Sequence, residues 1–342
     1  MTQSKVTIRS TRDTPVDRAV RDAMEAAGWD EVVGRGDRVV LKPNLCTPSK
    51  DIIDVANTSP EVLSAICKVL KDRTDNVVIG ESDGIRYSAT EAFEINGTCG
   101  IAERFGFEVQ SFSEAPKRSV DHPHLEGWPL PQPILDCDVF ITTAKIKTHA
   151  TTAFTGALKN QWGAIPQHNR LLLHKYLHTL IGEVNEILGT AFGVLDGRLG
   201  MEGRGPINGG RVPLEVVMAS KDTVALDAEA MRFVGLEPRT AEHIVHAADI
   251  GLGCLEKEQI EVDSNVEPSR TFEPAEKDWP IKVLNMITRS QFLTEHLLLN
   301  DTIFYPARGF ARLCRAAKEM MLGGGNGEKT ASCPNARRKT TK

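Results

Sequence analysis

Four apolar runs in this chain give way to polar residues of the kinds that bind ions or move protons. Val39–Leu41 leads into Lys42, Pro43 and Asn44. Asn76–Gly80 leads into Glu81, Ser82 and Asp83. Val139–Thr143 leads into Lys145, Lys147, Thr148 and His149, and Phe192–Leu195 into Asp196 and Gly197. The third run is the densest, because Thr151, Thr152, Thr155, Lys159 and Asn160 follow within the stretch that ends at Pro166. Strand ends in a parallel sheet lie about 4.8 Å apart on one rim. Open α/β sheets bind their ligands at that carboxyl edge. A rim holding cations, carboxylates, an amide and an imidazole can bind an anion, hold a divalent metal or transfer a proton.

Roles follow from residue chemistry. A histidine titrates near neutrality, and Lys147, Thr148 and Thr151 around His149 leave no apolar pattern to bury it. His149 is therefore the expected acid/base, with Lys147 and Lys159 beside it as catalytic candidates. Lys42, Asn44, Lys145, Thr148, Thr151, Asn160 and Arg204 are the expected ligand-binding residues. Glu81, Asp83 and Asp196 would orient the histidine or hold a metal. Each has a plainer reading: exposed strand-end lysines, a hydrogen-bonded structural histidine, a helix cap at Glu81 and Asp83, an ordinary turn at Asp196–Gly197. Convergence of these residues on one rim would favour the functional roles.

Three further segments carry specific expectations. Gly156–Asn160 after a Thr-rich loop could cradle an anion on backbone amides, with Lys159 adding charge. It lacks the spacing of a phosphate-binding P-loop, and no G-x-G-x-x-G follows a strand. Gly197–Arg211, with six glycines and Arg198, Glu202, Arg204, Asn208 and Arg211, reads as a surface loop or a lid over a charged ligand. His174 and His178 would share one helix face as a two-histidine metal pair, without the glutamate of an H-E-x-x-H site.

Positioning these groups requires strands that alternate with helices. Helices are expected at Val16–Gly28, after Ser59–Pro60 to about Asp72, near Thr90–Ile95 and Ile101–Phe105, and at Arg170–Leu188, Thr223–Val234 and Ala241–Ala248. Further strands are expected at Val6–Arg9, Glu108–Phe112, Leu214–Ser220 and Glu258–Val262. The segment around His122 and His124 is proline-rich and reads as a surface excursion. The fold class is therefore α/β: a mainly parallel sheet with helices on both faces and the ligand site at the carboxyl edge, plus a C-terminal helical extension. The organisation reads as an α/β domain over residues 1–262, a polar linker over 263–280, a helical extension over 281–322 bearing Arg308, Arg312, Arg315 and Lys318, and a disordered tail over 323–342.

A net charge of −5 among 342 residues argues against a general nucleic-acid binder. No apolar run is long enough for a membrane span, and the N-terminal residues show no apolar signal region, so a cytoplasmic location is expected. Seven scattered cysteines contain no C-x-x-C pair, so no intrinsic iron–sulfur cluster is expected. Cys46, just past a polar strand end, is the one thiol placed for chemistry.

The motifs VVLKPNL (Val39–Leu45), the TSPE helix start (Thr58–Glu61), VVIGESDG (Val77–Gly84), KIKTHATTAFTGALKNQWGAIP (Lys145–Pro166), VLDGRLGMEGRGP (Val194–Pro206) and ASKDTVALDAEAMRFVGL (Ala219–Leu236) resemble, in this order, the DUF362 family, a prokaryotic group of undefined function. Many members carry a ferredoxin-like module that this chain lacks, which implies a separate iron–sulfur protein as a possible partner. A fainter likeness reaches the N-terminal half of lactate-racemase-type enzymes, which bind a nickel-pincer nucleotide. His149, Gly156 and Lys159 sit where that pattern would place them, while Lys42–Pro43–Asn44 stands where that family has an acid-and-arginine motif. That likeness implies α-proton transfer on a small hydroxy acid.

Three functions remain open at this point. The first is an enzyme, isomerase-like or oxidoreductase-associated, acting on a small carboxylated or phosphorylated anion. The second is a redox or cofactor-handling partner of an iron–sulfur protein. The third is a non-enzymatic ligand-binding module with a docking C-terminal helix. A divalent metal or a nucleotide-type cofactor is compatible with the first two.

Overall fold

Strands buried on both sides need cover on both faces, and the alternating side chains of this chain sort into two separate apolar layers. Val40, Val78, Phe140 and Leu195 join one layer. Their strand neighbours Val39, Leu41, Val77, Ile79, Ile141 and Val194 join the other. The computed structural model describes residues 3–85, 87–268, 270–275, 279–300 and 302–303. Two units are distinguished, Met1–Gln291 and Phe292–Lys342. In the second, the described residues include a π-helical turn, Thr294–Leu298.

The strands are β1 (Ser4–Ser10), β2 (Val39–Pro43), β3 (Val77–Glu81), β4 (Glu108–Ser111), β5 (Lys117–Arg118), β6 (Leu130–Pro131), β7 (Val139–His149), β8 (Ala153–Thr155), β9 (Thr190–Glu202), β10 (Gly210–Ser220) and β11 (Ile260–Ser264). Nine form one sheet in the order β11-β1-β10-β9-β7-β2-β3-β4, with β8 attached to β7, and β5 pairs with β6 apart from it. The run β4-β3-β2-β7-β9 is parallel throughout. Strand β10 returns antiparallel between β9 and β1. The ends of β2, β3 and β7 therefore share one edge, as the sequence predicts.

Helices Val16–Ala26, Pro60–Leu70 and Thr98–Phe105 cover one face, and Leu177–Leu188, Thr223–Phe233 and Glu242–Asp249 the other. Pro60 opens its helix at the first position with Ser59 as N-cap, although the Ser59 side chain makes no cap bond. No helix among the described residues is long and apolar enough to cross a membrane.

Three expectations change. The polar run after Thr143 does not leave the sheet: β7 continues to His149, because β9 pairs with it on one side and β8 folds back along it. The glycine-rich stretch 197–211 is mostly the β9–β10 hairpin rather than a lid. Its glycines admit neighbours: a Cβ on Gly197 would come within 2.8 Å of Ile146 and Val216, and one on Gly200 within 2.7 Å of Phe272. The segment 263–275 is not a free linker, since Phe272 is 1% exposed and its amide donates to Val234 O at 2.8 Å. Of the expected extension, helix Trp279–Thr288 is present. Arg308, Arg312, Arg315, Lys318 and the tail lie outside the described residues.

Candidate functional site

The ends of β2, β3 and β7 meet the short helix Ala157–Asn160 around a small pocket of about 120 Å³. Lys42, Asn44, Cys46, Glu81, Lys147, His149, Lys159 and Asn160 line it, joined by Tyr87, Trp162, Gly163 and Arg170. Lys42 is fully buried. Its Nζ donates to Glu81 Oε2 at 2.7 Å and to Asn160 Oδ1 at 3.1 Å. Asn160 is itself fixed, its Nδ2 donating to Thr142 Oγ1 at 2.9 Å. Asn44 donates to Asn160 Oδ1 at 3.2 Å and accepts from Lys147 Nζ at 3.1 Å. Lys147 also donates to Ala56 O at 2.6 Å and to Cys46 Sγ at 3.1 Å. Gly163 covers the ion pair so closely that a Cβ there would sit 3.0 Å from both Glu81 Oε1 and Lys42 Nζ.

His149 and Lys159 stand side by side among the lining residues. The Nδ1 of His149 accepts the amides of Thr151 and Thr152 at 3.1 and 3.3 Å. The ring proton therefore belongs on Nε2. Burial, with Lys159 and Lys147 adding positive charge, holds the imidazole well below its ordinary pKa, so it is neutral. Lys159 has no carboxylate within hydrogen-bond reach among the described residues. Burial, reinforced by Arg170, Lys147 and Lys42, brings its ammonium down to about 7. Arg170, anchored through Nη1 to Ile165 O at 3.0 Å, is a site residue that sequence reasoning missed. The available signal was a cation at the start of an apolar helix, where the dipole disfavours it.

Other expected site residues lie elsewhere. Lys145 and Asp196 do not reach this pocket. They stand opposite each other in register on β7 and β9, on the face covered by helix Pro60–Leu70, and pair at 2.9 Å with both side chains fully buried. Burial alone would raise the Asp196 carboxyl, but Lys145 with the amides of Ser59 and Arg198 outweighs it and holds it below the usual range. Thr148 turns to the β9 end, donating to Gly203 O at 3.1 Å. Thr151 Oγ1 meets Asn285 Oδ1 at 3.4 Å. Arg204 sits in the turn after β9 and is not among the pocket's lining residues.

The carboxylates expected to share a metal do not converge. Glu81 is taken by Lys42 and the Ser82 amide. Asp83 accepts the amide of Ala89 at 2.7 Å, and Asp196 is on the opposite face. Lys42 offsets the charge of Glu81 and Lys145 that of Asp196, while Asp83 is held by a backbone amide, so the three do not form one ion site. His174 and His178 do not share an α-helix either: Arg170–Tyr176 is a 3-10 segment, and the α-helix begins at Leu177.

The amide cradle at Gly156 exists, but the protein fills it itself. Asp227 accepts the amides of Ala157 at 2.6 Å and Leu158 at 3.0 Å. Burial raises this carboxyl to about 7 against the pull of those two amides. A Cβ on Gly156 would overlap the Asp227 carboxylate. Gly156→Ala is therefore expected to destabilise the fold by about 1–3 kcal/mol through overpacking, read as a lower urea midpoint with an unchanged slope. With its helix amides occupied, and far below the roughly 300–1,000 Å³ of a typical cofactor site, the pocket does not fit a nucleotide-type cofactor.

A family model described as a domain of unknown function, DUF362, matches residues 39–232. The thylakoid-associated protein sll1697 of Synechocystis sp. is 27% identical over 235 residues, covering 66% of this chain and 71% of that protein. Among solved structures, the lactate racemase apoprotein from Thermoanaerobacterium thermosaccharolyticum aligns at 16% identity with a TM-score of 0.45, over 68% of this chain and 57% of that one. The family match spans more than half of the sequence and runs from β2, through every strand that lines the pocket, into helix Thr223–Phe233. This chain belongs to the DUF362 family.

Proposed function

We propose that the protein is an enzyme that binds a small carboxylated or phosphorylated ligand and transfers a proton on it. The observation that carries this reading is Lys159: a lysine with no carboxylate partner among the described residues, titrating near 7 on the wall of a cation-lined pocket. An amine at that pKa is present in both protonation states at neutral pH, as general acid–base catalysis requires. Arg170 and Lys147 supply fixed positive charge for the anionic group. Neutral His149 offers Nε2–H as a hydrogen-bond donor, while its lowered pKa makes it a poorer proton acceptor than Lys159. Lys42 and Glu81 neutralise each other and act as the floor of the pocket.

The pH dependence follows from the sign of the Lys159 shift. Below about 7 the group is an ammonium and attracts an anion. Above that pH it is neutral and the attraction is lost. A bound anion raises the pKa again, so binding takes up a proton near neutrality. Sulfate and oxalate, both essentially fully ionised across this range, are suitable probes. Calorimetry is expected to show their affinity falling about tenfold between pH 6 and 8.5, with proton uptake near pH 7.5. Lys159→Met is expected to flatten that profile. If neither anion binds at millimolar concentration at pH 6, the reading fails.

A further inference from the structure

The proline-rich excursion after β5 carries a feature that the pocket does not use. His122 and His124 flank Pro123 in a tight turn, closed by the Leu125 amide donating to His122 O at 3.0 Å. Both imidazoles face Glu183 on helix Leu177–Leu188. His122 Nε2 lies 3.4 Å from Glu183 Oε2, and His124 Nδ1 lies 3.3 Å from the same oxygen. One donor atom from each of the three residues lies within 4.8 Å of the others, and no other such trio of His, Cys, Asp or Glu occurs among the described residues. The side chains are 18%, 33% and 21% exposed, so they are held by protein on one side and open to water on the other. The His124 ring is also stacked on Tyr176 at 4.1 Å between centroids, which fixes its plane.

From this we infer that His122, His124 and Glu183 form a binding site for a divalent transition metal of the zinc type. Zinc bonds to imidazole nitrogen and carboxylate oxygen at about 2.0–2.1 Å, which at the tetrahedral angle separates the donor atoms by about 3.3–3.4 Å. The two N···O separations already have that value, and only the N···N edge has to close by rotation of the rings. Two imidazoles and one carboxylate without thiolate suit zinc, nickel, cobalt or copper rather than calcium or magnesium. Water fills the remaining position on the open side. At present His122 Nδ1 accepts the His124 amide at a long 3.3 Å, which leaves the ring proton on Nε2. Metal binding moves that proton to Nδ1 and exchanges this contact for a metal bond. The metal would tie the excursion to helix Leu177–Leu188, immediately beyond the 3-10 segment that carries Arg170 into the pocket.

The test uses the full chain stripped with a chelator and titrated with zinc by calorimetry, and with cobalt(II) by absorption. One equivalent should bind, with a tetrahedral cobalt spectrum. Glu183→Gln keeps the shape of the side chain, and His122→Gln alters a partly exposed ring, so both variants should unfold at the wild-type midpoint without metal. Each is expected to lose at least tenfold in zinc affinity and the cobalt bands. Lys159→Met should bind zinc as the wild type does, which separates this site from the anion pocket. Absence of stoichiometric binding, or affinity unchanged in both variants, would overturn the proposal.

Discussion

Glu81→Gln is expected to lower the stability of the fold by about 3–5 kcal/mol, the range for removing one partner of a buried ion pair. Lys42 is the reason. Its ammonium is 0% exposed, and burial pulls its pKa down while Glu81 opposes that pull. Without the carboxylate, the charge must either stay in a low-dielectric site, supported by Asn160 Oδ1 and Pro43 O, or be given up. Both alternatives cost free energy. The same carboxylate also accepts the amide of Ser82 at 2.9 Å. Urea unfolding monitored by tryptophan fluorescence gives the change directly. The double variant Lys42→Met with Glu81→Leu is expected to recover much of the loss, because neither charge then remains to be buried. A loss below about 1 kcal/mol for Glu81→Gln would mean that the pair is not what holds these strand ends together.

The second large effect concerns reactivity. At pH 7.5 an amine with a pKa of about 7 is mostly unprotonated, whereas an ordinary lysine near 10.4 is unprotonated about one part in a thousand. Cyanate, small enough for the pocket, should therefore carbamylate Lys159 roughly twentyfold faster than the surface lysines, after allowing for the lower nucleophilicity of a weaker base. Peptide mapping by mass spectrometry over a time course reads this out. Sulfate should protect Lys159 and leave the surface lysines unaffected. Once a substrate is in hand, Lys159→Met should reduce turnover by about 10²–10⁴-fold, the usual share of a general acid–base group. Labelling of Lys159 at the rate of the surface lysines would contradict the assigned role.

The parallel core was readable because Val39–Leu41, Val77–Gly80 and Val139–Thr143 are apolar at consecutive positions, as strands covered on both sides must be. The convergence of Lys42, Glu81 and His149 followed from that topology alone. What could not be read was how far each strand runs. Lys145 and Lys147 looked like loop residues, yet pairing with β9, joined by β8 from Lys147 on, carries β7 through them. Side-chain parity then decides the fate of Asp196: it shares a face with Phe192 and Val194, away from Lys42, and meets Lys145 across the ladder. The cradle at Gly156 was recognisable as an anion site, but its occupant, Asp227, is 70 positions from Ala157 in sequence. It sits in a helix where only tertiary packing brings it near. Glycines 197 and 200 read as part of a surface loop or lid because composition cannot distinguish a mobile glycine from one packed against Ile146 and Val216 or, at Gly200, under an aromatic ring.

That ring, Phe272, bears on how the molecule can be shortened. A truncation guided by the fall in hydrophobicity after residue 262 would delete the side chain that closes over Gly200 and the hydrogen bond from the Phe272 amide to Val234 O. It would leave an uncovered apolar hole near the tip of the β9–β10 hairpin, whose turn supplies Pro206 to the pocket wall. A minimal version that preserves the hairpin has to retain at least the segment through residue 275.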